Sequence, residues 1–292
     1  MKLQTPVTDS KCKVGISYTD KITMLGSCFS DNIGRQLCNF GFDVLVNPFG
    51  TLYNPVSIQK SIERLVSART FTEDDCIQIG AGDLRYCSFS HHTSFARNSK
   101  EEFITNANNS LESAVEHFAQ SNKVIITLGT SWCFRNNDSG EVVSNCLKRP
   151  AAEFTRERLS VCETATCLKN IIDMCCAAES ENFRHKEFIF TVSPIRHFKD
   201  GAHGNQISKA GLLLGIEDIL EDNPADYFPA YEIMMDELRD YRFYAEDMCH
   251  PSQQAVDYIR ERFLGWALPA QEVPQLEENI KAYRHRNHIE KL

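Results

Sequence analysis

Three short runs of mostly apolar residues constrain the fold of this chain more than any other feature. They occupy residues 22–25, 123–128 and 187–192, and glycine, serine or proline follows each of them closely. Continuous apolar runs, in contrast to alternating ones, are typical of strands that are buried on both faces of a parallel sheet. Stretches with helical spacing lie between the runs. The sequence therefore predicts an α/β protein, a three-layer α/β/α sandwich around a mostly parallel sheet.

The spacing of apolar residues predicts helices over residues 30–40, 57–68, 101–120, 155–178, 206–220, 252–263 and 273–288. Further strands are expected over residues 42–46 and 227–234, although Pro229 argues against the second of these. Residues 70–99 lack regular spacing and are interpreted as an insertion. Because no repeat, low-complexity tract or linker divides the chain, residues 1–292 are expected to form one domain with a charged C-terminal helix.

The net charge of −9 argues against a nucleic-acid partner, because binding to phosphates needs a basic surface. The apolar runs are shorter than the roughly 18 residues of a membrane span, and the first residues lack the apolar core of a signal peptide. We therefore expect a cytoplasmic protein whose twelve cysteines are reduced. The cysteines and histidines lack the paired spacing of zinc sites, so neither a metal nor a cofactor is expected.

The first apolar run ends at Gly26, Ser27 and Cys28, where a helical pattern begins. A strand–turn–helix junction directs a side chain and free backbone N–H groups into one space, as a nucleophile requires. The positive end of the helix also favours the thiolate of a cysteine placed there. A simpler interpretation is also open at this point: Ser27 caps the helix and Cys28 is a small buried apolar residue.

Short polar segments follow the other strands, at residues 49–51, 129–131 and 193–194. Ligands of parallel α/β sheets bind beyond the carboxyl ends of the strands, so these segments should converge at one edge. Arg196 and His197 follow the third apolar run and are candidates to line a pocket at that edge. Arg196 is the type of residue that binds an anion there.

Asp247 and His250 are the candidates for a catalytic acid and base. An aspartate three residues before a histidine, in a turn ahead of a helix, can hold one ring nitrogen and leave the other facing outward. A nucleophile needs such an oriented base. The alternative is that Asp247 caps nearby backbone groups and that His250 merely begins a helix.

Together, the sequences G-S-C-F at 26–29, F-G-T at 49–51, G-T-S at 129–131 and D-x-x-H at 247–250 resemble the four blocks of the SGNH (GDSL-like) hydrolase superfamily. More narrowly, the chain resembles the GSCFA family, a bacterial branch, and the stretches at 193–197 and 227–244 add to that resemblance. The resemblance implies a flavodoxin-like SGNH-hydrolase fold. It also implies an acyl hydrolase or acyltransferase that acts on an ester or thioester of a small molecule or glycan.

By this resemblance, Cys28 occupies the position of the nucleophilic serine, and Ser27 is the alternative nucleophile if the turn is shifted by one residue. Asp247 and His250 match the orienting acid and the general base. The implied mechanism is attack of the Cys28 thiolate on the substrate carbonyl after His250 removes the thiol proton. No cofactor is implied.

The resemblance also assigns residues to oxyanion and substrate binding. Gly50 matches the glycine whose N–H binds the oxyanion, and Ser131 stands where the superfamily usually has an asparagine. Asn145 is a candidate to replace that asparagine, while Arg196 and His197 are candidates for substrate contacts. Because two blocks are altered, a catalytically degenerate protein that binds a ligand or partner in the same cleft is the alternative function.

Overall fold

The computed structural model describes residues 5–7, 12–80, 84–179 and 183–289. The described strands are β1 (Lys21–Gly26), β2 (Asp43–Val46), β3 (Ile77–Gln78), β4 (Tyr86–Cys87), β5 (Lys123–Leu128), β6 (Trp132–Asn136), β7 (Val142–Val143), β8 (Phe154–Arg158), β9 (Glu187–Val192) and β10 (Ala225–Tyr227). The described α-helices are α1 (Cys28–Asn39), α2 (Pro55–Ser67), α3 (Lys100–Gln120), α4 (Val161–Ala178), α5 (Gly201–Leu220), α6 (Ala230–Glu232), α7 (Gln253–Ala267) and α8 (Val273–Ile289). None of the helices in these ranges is long and apolar enough to cross a membrane.

A five-stranded parallel sheet with the order β10-β9-β5-β1-β2 forms the centre of the protein. Numbered by their order along the chain, its strands run 2-1-3-4-5 across the sheet, which is the flavodoxin-like arrangement. The register places Gly26 beside Thr127 and Leu128 beside Val192. The carboxyl ends of the three central strands therefore meet at one edge, as the sequence predicts.

Helices cover both faces of the sheet, and the residues of β5 alternate between them. Val124 and Ile126 belong to the apolar cluster that contains the buried faces of α2, α3, α4 and α5. Ile125 belongs to the second cluster, with α1, α7 and the partly buried side of α8. Since successive strand residues point to opposite faces, a strand covered on both sides is apolar at most of its positions. The predicted three-layer α/β/α fold is confirmed.

The helix predicted to begin at residue 155 is wrong in its first turn. Residues Phe154–Arg158 form strand β8, which pairs antiparallel with β6 in the three-stranded sheet β7-β6-β8. The helix begins at Val161 because Ser160 caps it: its hydroxyl accepts from the Glu163 N–H, and the Glu163 carboxylate accepts from the Ser160 N–H. This small sheet follows β5 and stands beside the carboxyl edge.

The strand predicted over residues 227–234 is also wrong in most of its length. Strand β10 ends at Tyr227, and the chain then forms α6 and a π-helix, Ile233–Glu237. Pro229 cannot donate to a sheet and caps this helical segment instead. Within the predicted insertion at 70–99, the described residues include the short antiparallel pair β3 and β4, and residues 81–83 lie outside the described ranges.

Candidate active site

The turn between β1 and α1 depends on a glycine. Gly26 has φ +145°, and a Cβ atom at this position would lie 2.2 Å from the Thr127 carbonyl oxygen. Ser27 follows in an extended conformation, fully buried, and its hydroxyl accepts from the Phe29 N–H at 3.3 Å as the N-cap of α1. Cys28 is the first residue of the helix and is only partly buried. The thiol, and not the serine hydroxyl, therefore faces open space.

The loop after β2 fixes this turn. Asn47 accepts from the Gly26 N–H at 2.8 Å through Oδ1 and donates to Asp31 through Nδ2 at 2.5 Å. Gly50, at φ +82°, donates its N–H to the Asn47 carbonyl at 2.8 Å and packs against His92. The Gly50 N–H, to which the family resemblance gives a role in oxyanion binding, is thus engaged within its own loop.

An open cavity of about 450 Å³ lies at the carboxyl edge of the sheet, and both Cys28 and His250 line it. The other lining residues come from the start of α2, from the antiparallel sheet and from the segment after β9: Tyr53, Asn54, Thr130, Trp132, Phe134, Val143, Ser144, Asn145, Cys146, Arg156, Ile195, Arg196, His197, Lys199 and Asp200. Two turns far apart in the sequence therefore open onto one space.

Tyr53 is the direct polar neighbour of the Cys28 thiol. Its Oη lies 3.4 Å from Cys28 Sγ and 3.2 Å from Thr51 Oγ1. Burial, with a smaller contribution from the hydrogen bond to Cys28, raises the pKa of Tyr53 to about 12. The phenol is therefore neutral at physiological pH and can donate a hydrogen bond to a thiolate or an oxyanion.

Asp247 orients His250. Its Oδ2 lies 2.5 Å from His250 Nδ1, and its Oδ1 accepts from the backbone N–H groups of Cys249 and His250 at 2.9 Å each. These hydrogen bonds, the two backbone ones first, lower the pKa of the exposed Asp247 carboxyl to about 2. The carboxylate fixes Nδ1 as the protonated nitrogen, so His250 Nε2 is left as an acceptor.

The loop that carries His250 is attached to the end of β9. The Arg196 N–H donates to the Cys249 carbonyl at 3.0 Å, and Arg196 Nη1 donates to the Met248 carbonyl at 3.3 Å. The Arg196 guanidinium also lies over the rings of Phe198 and Tyr244, 4.2 and 4.9 Å from their centroids. Arg196 thus links the histidine loop to the cavity wall.

The partly buried His197 and the buried Lys209 lie at this edge of the sheet. The His197 ring lies 6.3 Å from the Tyr53 ring, and its pKa is lowered to about 4, first by burial and then by Lys209 and His250. Among the described residues, His197 Nε2 is buried without a hydrogen-bond partner. The buried Lys209 Nζ donates to the carbonyls of Gly129 and Ser193 at 2.6 and 2.7 Å. Lys209 therefore connects the ends of β5 and β9.

Ser131 and Asn145 have different positions. Ser131 is fully buried, and both its N–H and its hydroxyl bond to Ser208 Oγ, at 2.8 and 3.2 Å, so its neighbour Thr130 lines the cavity instead. Asn145 lines the cavity, and its Oδ1 accepts from the Leu147 N–H at 2.8 Å. Because a backbone donor occupies this oxygen, the Asn145 side-chain NH₂ group is the one available to a ligand.

Sequence reasoning missed Tyr53, Asn54, Arg156 and Lys199. Asn54 caps α2 by accepting from the Ser57 N–H at 2.9 Å through its side-chain oxygen. Its amide NH₂ group, like that of Asn145, is therefore available to a ligand in the cavity. The pair Asn54-Pro55 is a typical helix start and could have placed Tyr53 and Asn54 at the edge. Arg156 and Lys199 carry no comparable local signal.

Three further observations concern the histidines, cysteines and acidic side chains of the described residues. No group of three or more histidine, cysteine or acidic side chains in them is arranged to hold a metal ion. All twelve cysteines are free thiols. His91 is fully buried among aromatic rings, with Nδ1 2.7 Å from Ser88 Oγ, so it is a core residue.

The fold and the site define a three-layer α/β/α protein with a cavity at the carboxyl edge of a flavodoxin-like sheet, and a cysteine and an aspartate-oriented histidine both line this cavity. The model of the GSCFA family matches residues 21–263, and the chain belongs to this family. Searches of curated proteins and of solved structures give no match to the chain.

Proposed function

We propose that this protein catalyses acyl transfer from an ester or thioester, in the manner of the SGNH hydrolases, with Cys28 as the nucleophile. The observation that carries the proposal is that Cys28, at the start of α1, and His250, oriented by Asp247, line the same cavity. The flavodoxin-like strand order supports the relation to that superfamily. The free thiols favour a reducing compartment such as the cytoplasm.

In the proposed reaction, His250 Nε2 takes the proton of the Cys28 thiol, and the thiolate attacks the carbonyl carbon of the substrate. The backbone N–H at the start of α1, the Tyr53 hydroxyl and the amides of Asn54 and Asn145 are the candidate donors to the oxyanion. The imidazolium then gives its proton to the departing alcohol or thiol, and the acyl group remains on Cys28 as a thioester.

The second half of the reaction regenerates the thiol. His250 removes a proton from water or from an acceptor hydroxyl or amine, which attacks the thioester carbonyl. Cys28 leaves as the thiolate and recovers its proton from His250, and the product is an acid, an ester or an amide. Ser27 is the weaker candidate for the nucleophile, because its buried hydroxyl caps the helix.

The first test is an assay of aryl acetates and longer acyl esters, with and without alcohol acceptors. We expect Cys28→Ala and His250→Ala each to abolish turnover, while Cys162→Ala, which removes an exposed thiol near the start of α4, leaves it unchanged. New ester product in the presence of alcohol would indicate a transferase. Turnover that survives both substitutions would eliminate the proposal.

The second candidate function is ligand binding without turnover. It is favoured by two observations: the Gly50 N–H bonds to Asn47, and Ser131 is buried against Ser208. A binding protein needs no activated thiol. If iodoacetamide labels Cys28 no faster than the buried Cys87, and the rate is independent of pH near neutrality, this second function is preferred.

A further inference from the structure

We infer that the ligand of this cavity carries an anionic group, a phosphate or a carboxylate, which binds beside Arg156 and Lys199. The inference that this ligand is the substrate rests on the proposed function. The inference that the cavity binds an anionic group does not. The cavity is cationic although the chain as a whole has a net charge of −9. A local charge of opposite sign to that of the protein marks a binding surface for that sign of ligand.

The charges that line the cavity do not cancel. Arg156, Arg196 and Lys199 contribute three cations, and Asp200 is the carboxylate among the lining residues. Asp200 is nearly buried and pairs with Arg156. Arg196 donates to a main-chain carbonyl, and Lys199 has no carboxylate partner in the described part of the chain. Two positive charges in the cavity therefore remain uncompensated.

Arg156 is held in place before any ligand arrives. Its guanidinium lies over the Trp132 ring, 4.3 Å from the centroid, and one of its terminal nitrogens is fixed by Asp200. Its Nε is buried and has no hydrogen-bond partner among the described residues. The Arg156 side chain as a whole is 30% exposed, and an anionic oxygen in the cavity can accept from the exposed part of the guanidinium.

Lys199 lies near the same group of aromatic rings. Its Nζ is 5.7 Å from the Phe134 ring centroid, and the Arg156 guanidinium is 5.7 Å from that centroid as well. Both cations therefore lie close to Phe134, which belongs to β6 of the antiparallel sheet. This arrangement suits an anionic group on one part of the ligand, while Cys28 and His250 address another part of the cavity.

The test compares two alkylating agents of similar size, anionic iodoacetate and neutral iodoacetamide, at individual cysteines followed by peptide mass spectrometry. Cys38 and Cys162 are exposed, lie outside the cavity and serve as internal controls. We expect the iodoacetate-to-iodoacetamide rate ratio at Cys28 to exceed that of the controls by about fivefold at low salt, and to fall at high salt.

Lys199→Gln should lower the ratio at Cys28 by about threefold, whereas Lys169→Gln, at an exposed position on α4, should not change it. Inorganic phosphate or acetate should protect Cys28, and the more protective of the two identifies the anionic group. Equal ratios at Cys28 and the controls, equal effects of the two substitutions, or no protection by either anion would overturn the inference. Turnover of neutral aryl esters is measured in a separate assay. A failure of the acyl-transfer proposal can therefore be distinguished from a failure of the anion-binding inference.

Discussion

The Tyr53 hydroxyl lies 3.4 Å from the Cys28 thiol, and this contact joins two segments that follow neighbouring strands of the sheet. Tyr53 also accepts, through its carbonyl, from the N–H groups of Gly129 and Thr130 at 2.8 and 2.9 Å. Tyr53 therefore contacts the segments that follow β1 and β5 and itself belongs to the segment that follows β2. Its phenol, with a pKa raised to about 12, stays neutral at physiological pH and can donate to a Cys28 thiolate.

Replacement of the Tyr53 hydroxyl should slow the alkylation of the Cys28 thiol. In Tyr53→Phe the thiolate loses a hydrogen bond of the charge-assisted kind, so we expect alkylation of Cys28 by iodoacetamide at pH 7 to fall about tenfold. The rate is measured by peptide mapping. Tyr241→Phe, at an exposed tyrosine, is the control and should have no effect. An unchanged rate in Tyr53→Phe would show that the contact has no chemical role.

Asp247→Asn should impair turnover through the orientation of His250. The amide keeps an oxygen for the backbone N–H groups but cannot accept from Nδ1, so the wrong tautomer is favoured; we expect kcat to fall by roughly 10²–10⁴. Because the carboxyl pKa is lowered to about 2, Asp247 stays ionised until the pH falls toward 2, and it does not cause an acid limb above pH 4. Asp240→Asn is the matched control, since Asp240 also accepts from a backbone N–H two residues ahead. Equal kcat values in the two variants would contradict this role.

Lys209→Met should destabilise the edge of the sheet. It leaves the carbonyls of Gly129 and Ser193 without their buried donor, at a cost of about 2–4 kcal/mol in the free energy of unfolding. Urea denaturation measures this change. Lys169→Met, at an exposed position on α4, should shift the free energy by less than about 0.5 kcal/mol. A small effect at Lys209 would mean that the strand ends are held by other contacts.

The parallel sheet could be predicted from the sequence because its signals are local. The apolar runs at 123–128 and 187–192 coincide with β5 and β9, since a strand covered on both faces is mostly apolar. Strand β8 was missed because its residues T-R-E-R after Phe154 show no apolar alternation, and its partner β6 lies about twenty residues away. The start of α5 was placed five residues late, because Gly201 and Gly204 are poor helix formers.

The residues of the candidate site likewise fall into those that the sequence could predict and those that it could not. Cys28, Asp247 and His250 could be found from short motifs and from the rule that ligands bind at the carboxyl edge. Arg156 could not be found, because it reaches the cavity only through the antiparallel pairing of β8 with β6. The position of Ser131, turned toward Ser208 on α5, likewise depends on tertiary packing that no local pattern encodes.

The turn that presents Cys28 should not tolerate a side chain at Gly26. Gly26→Ala forces a Cβ against the Thr127 carbonyl at a φ that other residues rarely adopt, so we expect a loss of at least about 3 kcal/mol in unfolding free energy. Gly265→Ala is the contrasting variant, because nothing lies within 4 Å of the added atom and the residue is inside α7. It should gain about 0.5–1 kcal/mol, and thermal denaturation compares the two. Equal stability of both variants would show that the turn relaxes easily.

His91 should make stability depend on pH. Its pKa is lowered from 6.5 to about 3, chiefly by burial among aromatic rings, so the unfolded chain takes up this proton before the folded protein does. The contribution of His91 to the free energy of unfolding is therefore fully present above about pH 6.5 and declines as the pH falls toward 3. Each pH unit below about 6.5 lowers the free energy of unfolding by about 1.4 kcal/mol, so the loss between pH 7.5 and pH 5 is about 2 kcal/mol. In His91→Phe the pH-dependent part of the unfolding free energy disappears. The Ser88 hydroxyl also loses its hydrogen-bond partner, and the free-energy cost of that loss is the same at every pH. Urea denaturation of both proteins at the two pH values measures the difference. If the variant loses as much stability on acidification as the parent, another buried group, such as His197, causes the pH dependence.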